Sequence, residues 1–223
     1  MKNSVIMEGA NNNLVAYYAE RAREYEKIYD KPERQSDLLA LNDILQGQFA
    51  GKDVFELACG TGYWTQRIAK IANSVFATDI NAPVIEVAKT KVFEKNNVTF
   101  ELADIYAYKI SQPYDSLFAG FIWSHIKQQE LNSFIDTVHR FVKPGGLVVF
   151  IDNNFVQESN RPIINTDEFG NTYQQRELEN GKKYSIIKNF PTDDMFFKLL
   201  EGKAEGIKFV SLKYYWVVCY TRK

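Results

Sequence analysis

The run Val54-Phe55-Glu56-Leu57-Ala58-Cys59-Gly60-Thr61-Gly62 constrains this chain more than any other. Asp53 to Leu57 has the apolar density of a buried strand, the two glycines allow a tight turn, and a helical pattern from about Tyr63 to Asn73 follows. A strand that turns into a helix rejoins its sheet by a right-handed crossover. The alternation then repeats: strand Ser74 to Ile80, helix Ala82 to Lys95, strands Val98 to Asp104 and Tyr114 to Trp123, helix Gln128 to Phe141, strand Leu147 to Asp152. Lys143-Pro144-Gly145-Gly146 is the turn that leads into the last of these. Strands alternating with helices predict an α/β fold with a mostly parallel sheet covered on both faces.

The flanks carry different signals. Leu14, Tyr17, Tyr18, Arg21, Ala22, Tyr25 and Ile28 recur at helical spacing, which predicts an amphipathic helix from Leu14 to Tyr29, interrupted at Pro32 and followed by a second from Gln35 to Phe49. Asn153 to Pro162 reads as an exposed connection. Thr172 to Arg176 and Lys183 to Asn189 flank Asn180-Gly181, a dipeptide suited to a tight hairpin. Thr192 is the expected cap of a helix from Asp193 to about Glu201, and two strands, Lys208 to Tyr215 and Trp216 to Arg222, close the chain with an antiparallel edge. At 223 residues the chain suits one domain. Its parts are a helical cap (1–50), a core (51–152), an inserted hairpin region (153–190) and a C-terminal helix with strands (191–223).

A formal net charge of −1 argues against a protein devoted to neutralising phosphates. Cys59 and Cys219 form neither a metal-ligand nor a redox spacing, which suits a reducing cytoplasm. Cys59 reads as a small packing residue and His139 as structural. Met1 to Asn13 holds no apolar run of a signal peptide, and no later stretch reads as a membrane span.

Three strand ends, at the glycine turn, Asp79 and Asp104, converge on one crevice, where a carboxylate can accept two hydrogen bonds from a ribose. In these residues the chain resembles the class I S-adenosylmethionine-dependent methyltransferases, whose first motif matches Glu56-x-Ala58-x-Gly60-x-Gly62. The resemblance runs from about Tyr17 to the C-terminus. It implies a Rossmann-like, seven-stranded, mostly parallel sheet with an antiparallel last strand, an N-terminal helical cap and a β-hairpin insertion after the fifth strand. It further implies that Ala58, Gly60 and Gly62 line the methionine part of S-adenosylmethionine, that Asp79 takes the ribose hydroxyls, and that Ile80 packs on the adenine. Asp104 and the backbone of Ile105 would hold the adenine amino group, Ala119 and Gly120 would face the amino-acid end, and Tyr25 would close the site. Arg34 is divided between the cofactor carboxylate and a pair with Glu33 or Asp37.

A nicotinamide-binding fold is the rival, but its motif wants a third glycine where this chain has Thr65. The expected activity is O- or N-methylation of a small organic acceptor without a metal, leaving S-adenosylhomocysteine. The stretch Phe121-Ile122-Trp123-Ser124-His125 has no Asn-Pro-Pro-Tyr or Asp-Pro-Pro-Tyr signature, and no Pro-Cys pair serves attack on a pyrimidine. His125 is the candidate general base; beginning the next helix is its plainer role. Trp123 and Phe155 suggest a place for a flat or apolar molecule. Two alternatives stand beside this reading: a methyltransferase of protein or RNA, which wants a basic rim where only Lys182-Lys183 stands out, and a non-catalytic cofactor-binding protein. The hairpin edges leave a homodimer open.

Overall fold

The computed structural model describes residues 4–223, with side-chain surroundings from residue 13 onward; the opening residues 1–3, part of the stretch read for a leader, lie outside it. Its centre is a seven-stranded sheet in the order β3-β2-β1-β4-β5-β10-β9. These strands are β1 (Asp53–Leu57), β2 (Ser74–Asp79), β3 (Val98–Leu102), β4 (Tyr114–Gly120), β5 (Val142–Asn153), β9 (Ala204–Ser211) and β10 (Tyr215–Arg222). β1 pairs in parallel with both β2 and β4. The chain builds outward from β1 to β3 and then returns to the other side of β1, so the connections diverge between β1 and β4 and open a crevice beyond their carboxyl ends. β10 runs antiparallel to both β5 and β9.

Helices α2 (Gln35–Phe49), α3 (Tyr63–Ala69), α4 (Ala82–Lys89), α5 (Leu131–Arg140) and α6 (Asp193–Leu200) cover the sheet. Two cores result. On one side Leu41, Leu45, Phe49, Trp64 and Ile68 pack on Val54, Phe118 and Val217. On the other, Phe134, Ile135, Val138 and Phe196 pack on Phe55, Leu117, Phe150 and Trp216. β5 is buried along almost its whole length, as a central strand requires.

Several predicted boundaries move. The single helix expected from Leu14 to Tyr29 is a helix α1 (Ser4–Arg21) and, after a break, a 3-10 segment Tyr25–Asp30. The break lets one tyrosine stripe serve two partners: Tyr17 meets Tyr184 with ring centroids 5.6 Å apart, whereas Tyr29 stacks on Tyr63 at 3.7 Å. β4 ends at Gly120, and Trp123–His125 forms a 3-10 turn. Thr192 makes no side-chain capping bond; Asp193 instead accepts the Asp194 N–H at 2.9 Å.

The hairpin forms as β7 (Thr172–Glu177) and β8 (Lys183–Ile187), with its turn closed by Gly181 N–H to Leu178 O at 2.8 Å. A third strand, β6 (Ile163–Thr166), joins β7. It is exposed along its length, so it lacks the alternating pattern that marks a strand in sequence. Glu20, on α1, accepts the Tyr184 hydroxyl at 2.8 Å and takes the ammonium of Lys182, which ties that lysine to the cap. Among the described residues no helix is long and apolar enough to cross a membrane.

Phe196 anchors α6 by meeting Trp123, Trp216 and Phe209 with centroids 4.5, 5.0 and 5.6 Å away. Phe196→Ala is expected to lower unfolding stability by about 3–5 kcal/mol. Urea denaturation measures this, and a loss below about 1 kcal/mol would mean that the ring does not carry the α6 contact.

Candidate active site

The crevice is built first by backbone. Cys59 N–H donates to Thr78 O, and Gly60 N–H donates to Asp79 Oδ2, both at 2.9 Å, which clamps the turn after β1 to the end of β2. Asn81 N–H donates to Asp79 Oδ1 at 2.9 Å. Each carboxylate oxygen thus holds one backbone donor and keeps lone-pair capacity for a ligand. Burial pushes the Asp79 carboxyl above its ordinary value, against the pull of these donors.

The two motif glycines do different work. Gly60 has φ +55°, and a Cβ there would meet nothing within 4 Å, so the turn opens toward free space. Gly62, at φ +79°, would place a Cβ 3.0 Å from Ala88 Cβ. It lets α3 start against α4. Ala58 and Phe121, at the ends of β1 and β4, also adopt positive φ, 55° and 62°. Strained backbone at two facing strand ends is held there by the surrounding structure and is typical of a site.

These ends surround a cavity of about 420 Å³. Tyr25, Ala58, Gly60, Asp79, Ile80, Asp104, Ile105 and His125, all singled out in the sequence, lie on its wall. Gly120 lines it, but Ala119 faces the core at 1% exposure. Gly62 packs on Ala88 rather than facing the cavity. Glu56 lies beneath, on a recess of about 30 Å³ with Tyr29 and Trp64. There burial pushes its carboxyl up to about 8, and Oε2 has no partner. Cys59 is buried, and burial raises its thiol, as suits packing.

Arg34 is brought neither to the cavity wall nor to Glu33 or Asp37. It is buried, bonded to Ser159 Oγ at 2.8 Å and Asn153 Oδ1 at 3.4 Å, and stacked over Tyr214 and Tyr215. Trp123 is buried among Phe134, Phe150 and Phe196, and Phe155 packs on Phe190; neither lines the cavity.

The cap closes the opening with Leu14, Val15, Tyr18 and Tyr25. It is latched to the motif by Glu26, which accepts the Thr61 hydroxyl at 2.6 Å and pairs with Lys91 at 2.9 Å. Tyr18 donates its hydroxyl to His125 Nε2 at 2.7 Å, while His125 Nδ1–H donates to Ile187 O at 2.6 Å. The carbonyl can only accept, so Nδ1 carries a proton and Nε2 is the nitrogen that faces the Tyr18 hydroxyl. Burial, aided by the Lys188 ammonium, holds its basicity well below the ordinary range. The base role anticipated for His125 needs Nε2 to face an acceptor, and the Tyr18 hydroxyl occupies that nitrogen.

Behind His125 lies a polar cluster that motif reading does not find. Lys188 donates to Ser124 Oγ at 2.6 Å and Asp152 Oδ1 at 2.9 Å, and Asp152 also accepts Ser124 N–H at 2.9 Å. All three are at least 95% buried. Burial alone would raise Asp152, but Lys188 and the other donors keep it ionised and lower it. Among the described residues no group of three or more His, Cys, Asp or Glu is arranged to hold a metal ion.

Residues 54–146 match the family model of a methyltransferase domain. Malonyl-(acyl-carrier protein) O-methyltransferase 2 of Ilyobacter polytropus is 32% identical over 163 residues, covering 70% of this chain and 58% of the relative. An uncharacterized methyltransferase of Anoxybacillus flavithermus is 26% identical over 58% of this chain and 61% of its own length. The chain thus spans less than two thirds of these relatives. Among solved structures, the DhpI-SAH complex aligns over 96% of this chain and 98% of its own, with TM-score 0.78 and 26% identity.

Because the folded state disfavours protonated His125, its contribution to stability is full above the unfolded value and is lost as pH falls below it. Nitrogen-15 NMR is expected to show a neutral, Nδ1-protonated imidazole throughout the interval of about pH 5 to 8 in which ordinary histidines titrate. A midpoint within that interval would show that the Tyr18 contact does not hold.

Proposed function

We propose that this chain, whose residues 54–146 match a methyltransferase-domain model, is a class I S-adenosylmethionine-dependent methyltransferase that transfers a methyl group to a small organic acceptor. The observation that carries this reading is the Asp79 carboxylate, clamped to the Gly60 N–H and facing the cavity with lone pairs to spare. Such a group suits a ribose diol. Ile80 and Ile105 offer apolar surface beside it for a flat base, and Asp104, whose Oδ1 accepts Tyr106 N–H at 2.9 Å, offers its second oxygen to an amino group. The open turn at Gly60 leaves room for close approach of the amino-acid end.

S-adenosylmethionine supplies a methyl carbon already activated by the sulfonium, so the protein's task is placement and exclusion of water. Tyr25, on the cavity wall, would give a bound sulfonium an aromatic neighbour, an attraction on the order of 0.5–2 kcal/mol. The α1 cap and Ile187 of β8 both contribute to the cavity wall. His125 acts here through Tyr18, fixing the phenol at the cavity wall. We read the chain as one domain acting in the cytoplasm on a small molecule. Its charge of −1 supports that reading over one involving nucleic acid.

Calorimetry with S-adenosylmethionine, S-adenosylhomocysteine and NAD(H) tests the assignment: the first two are expected to bind and the third is not, and binding of NAD(H) alone would overturn it. Asp79→Ala is expected to weaken S-adenosylhomocysteine binding by about 1.5–3 kcal/mol, or 10- to 150-fold. His125→Ala is expected to leave that binding intact while lowering turnover; unchanged turnover would remove His125 from the catalytic machinery.

A further inference from the structure

Glu56 is a buried acid without a cation. It lies on β1 just before the glycine turn, 1% exposed, and none of the ion pairs among the described residues includes it. The charge that bears on it is Asp79, another acid, and its Oε2 has no hydrogen-bond partner. Packing does not call for such a group, since an apolar side chain would fill the place without the cost of burying a carboxyl.

Each element around Glu56 brings its own titratable groups. The 3-10 segment brings Tyr25 and Tyr29, the turn Cys59, α3 Tyr63 and β2 Asp79, while the end of β4 brings Phe118, Gly120 and Phe121, which carry no charge. Burial pushes Tyr25 up to about 12 and raises Tyr29, Tyr63 and Cys59, so all four are neutral near neutrality. At Thr61, Glu26 and Lys91 neutralise each other. Asp79 has a backbone donor on each oxygen, at Gly60 and Asn81, and these favour its charged form. Glu56 has only the Thr65 hydroxyl in that role, against burial and Asp79, and its carboxyl is pushed up to about 8. Of the two acids, Glu56 is the one that holds a proton near neutrality.

The recess that Glu56 lines adjoins the main cavity. Tyr25, Ala58, Gly60, Thr61, Gly120 and Phe121 line both. At about 30 Å³ the recess has room for a water-sized group and none for an aromatic base. Glu56 therefore acts on the main cavity by its charge rather than by its shape. Buried groups screen such an influence far less than water does.

We propose that Glu56 tells the charged cofactor from the spent one: it holds a proton before binding and beside S-adenosylhomocysteine, and gives that proton to solvent when S-adenosylmethionine binds. This rests on the methyltransferase reading. The two molecules share their nucleoside and amino-acid parts and differ by one methyl group and one positive charge at sulfur. Contacts to ribose, adenine and amino acid are open to both, so charge is what separates them. A nearby cation lowers a carboxyl by roughly 1–3 on the pH scale, enough to carry Glu56 from mostly protonated to mostly ionised near neutrality. When the methyl group leaves, the bonding pair stays on sulfur, the charge at sulfur is lost, and Glu56 takes a proton back from solvent. The carboxylate that favoured the cofactor is then absent, and nothing of its attraction remains to hold the product.

The test is calorimetric titration of the full chain with S-adenosylmethionine and with S-adenosylhomocysteine, each in two buffers of different ionisation enthalpy, which counts the protons released on binding. At about pH 7 an α-amino group with its ordinary value of about 8 is mostly protonated, so titration of the ligands themselves adds little. S-adenosylmethionine is expected to release about half a proton or more beyond the count for S-adenosylhomocysteine. In Glu56→Gln, which keeps the shape and loses the titration, the two counts are expected to agree. By the same linkage, the preference for S-adenosylmethionine over S-adenosylhomocysteine is expected to rise several-fold from about pH 6 to about pH 8 in the wild type and to stay flat in the variant. Equal counts in the wild type, or a difference that persists in Glu56→Gln, would overturn the inference. Should Glu56→Gln fail to fold, the wild-type protein decides: a preference that does not rise with pH would equally overturn it. Failure of both ligands to bind would remove the proposed function and this inference together, whereas binding of both with equal proton counts would remove the inference alone.

Discussion

The hydrogen bond from Gly60 N–H to the Asp79 carboxylate fixes the relation on which the site depends. It ties the turn after β1 to the end of β2, while the parallel register of β1 with β4 sets the opposite rim. A Cβ on Gly60 would stand in the open space that a ligand needs, and one on Gly62 would press on Ala88. The rest of the sheet serves as support. β5 and β10 bury the strand ends in aromatic packing, so the crevice is carried by a rigid floor and closed by a separate cap.

That cap is polar where it meets the motif and aromatic where it meets the cavity. Glu26 bonds Thr61 and Lys91, so the 3-10 segment is latched to the same turn that shapes the cofactor site. Tyr29 stacks on Tyr63 and shares the recess that holds Glu56. On the other side, Tyr18 reaches across the cavity to His125, which is itself pinned to Ile187 of the hairpin. Cap, core and hairpin thus meet in a single chain of hydrogen bonds. A change in any one of these elements is felt at the cavity wall.

The buried Lys188–Asp152 pair has a comparable role behind that wall. Replacing such a pair by apolar residues is often tolerated, whereas removing one partner leaves an uncompensated charge. Here the pair also fixes the 3-10 turn that carries His125, because Asp152 accepts the Ser124 N–H and Lys188 donates to the Ser124 hydroxyl.

The sequence alone determined the sheet and its cofactor crevice. Glycine spacing, strand-length apolar runs and helical periodicity are local signals, and Asp79 and Asp104 follow from where strands end. The hairpin was legible from Asn180-Gly181 for the same reason. Tertiary structure decided what depends on distant partners. The tyrosine stripe read as one helix, but the chain breaks after Arg21 because its rings pack against two elements far apart in sequence. Trp123 read as a substrate contact, yet packing with Phe196 turned it into the core. His125 read as a base, and only the Ile187 carbonyl fixed its tautomer while Tyr18, 107 residues away, occupied its other nitrogen. Lys188 carries no motif at all; its meaning comes from Ser124 and Asp152, which only the fold brings to it. Periodicity reports which face of an element is buried, but what that face meets is set by the fold.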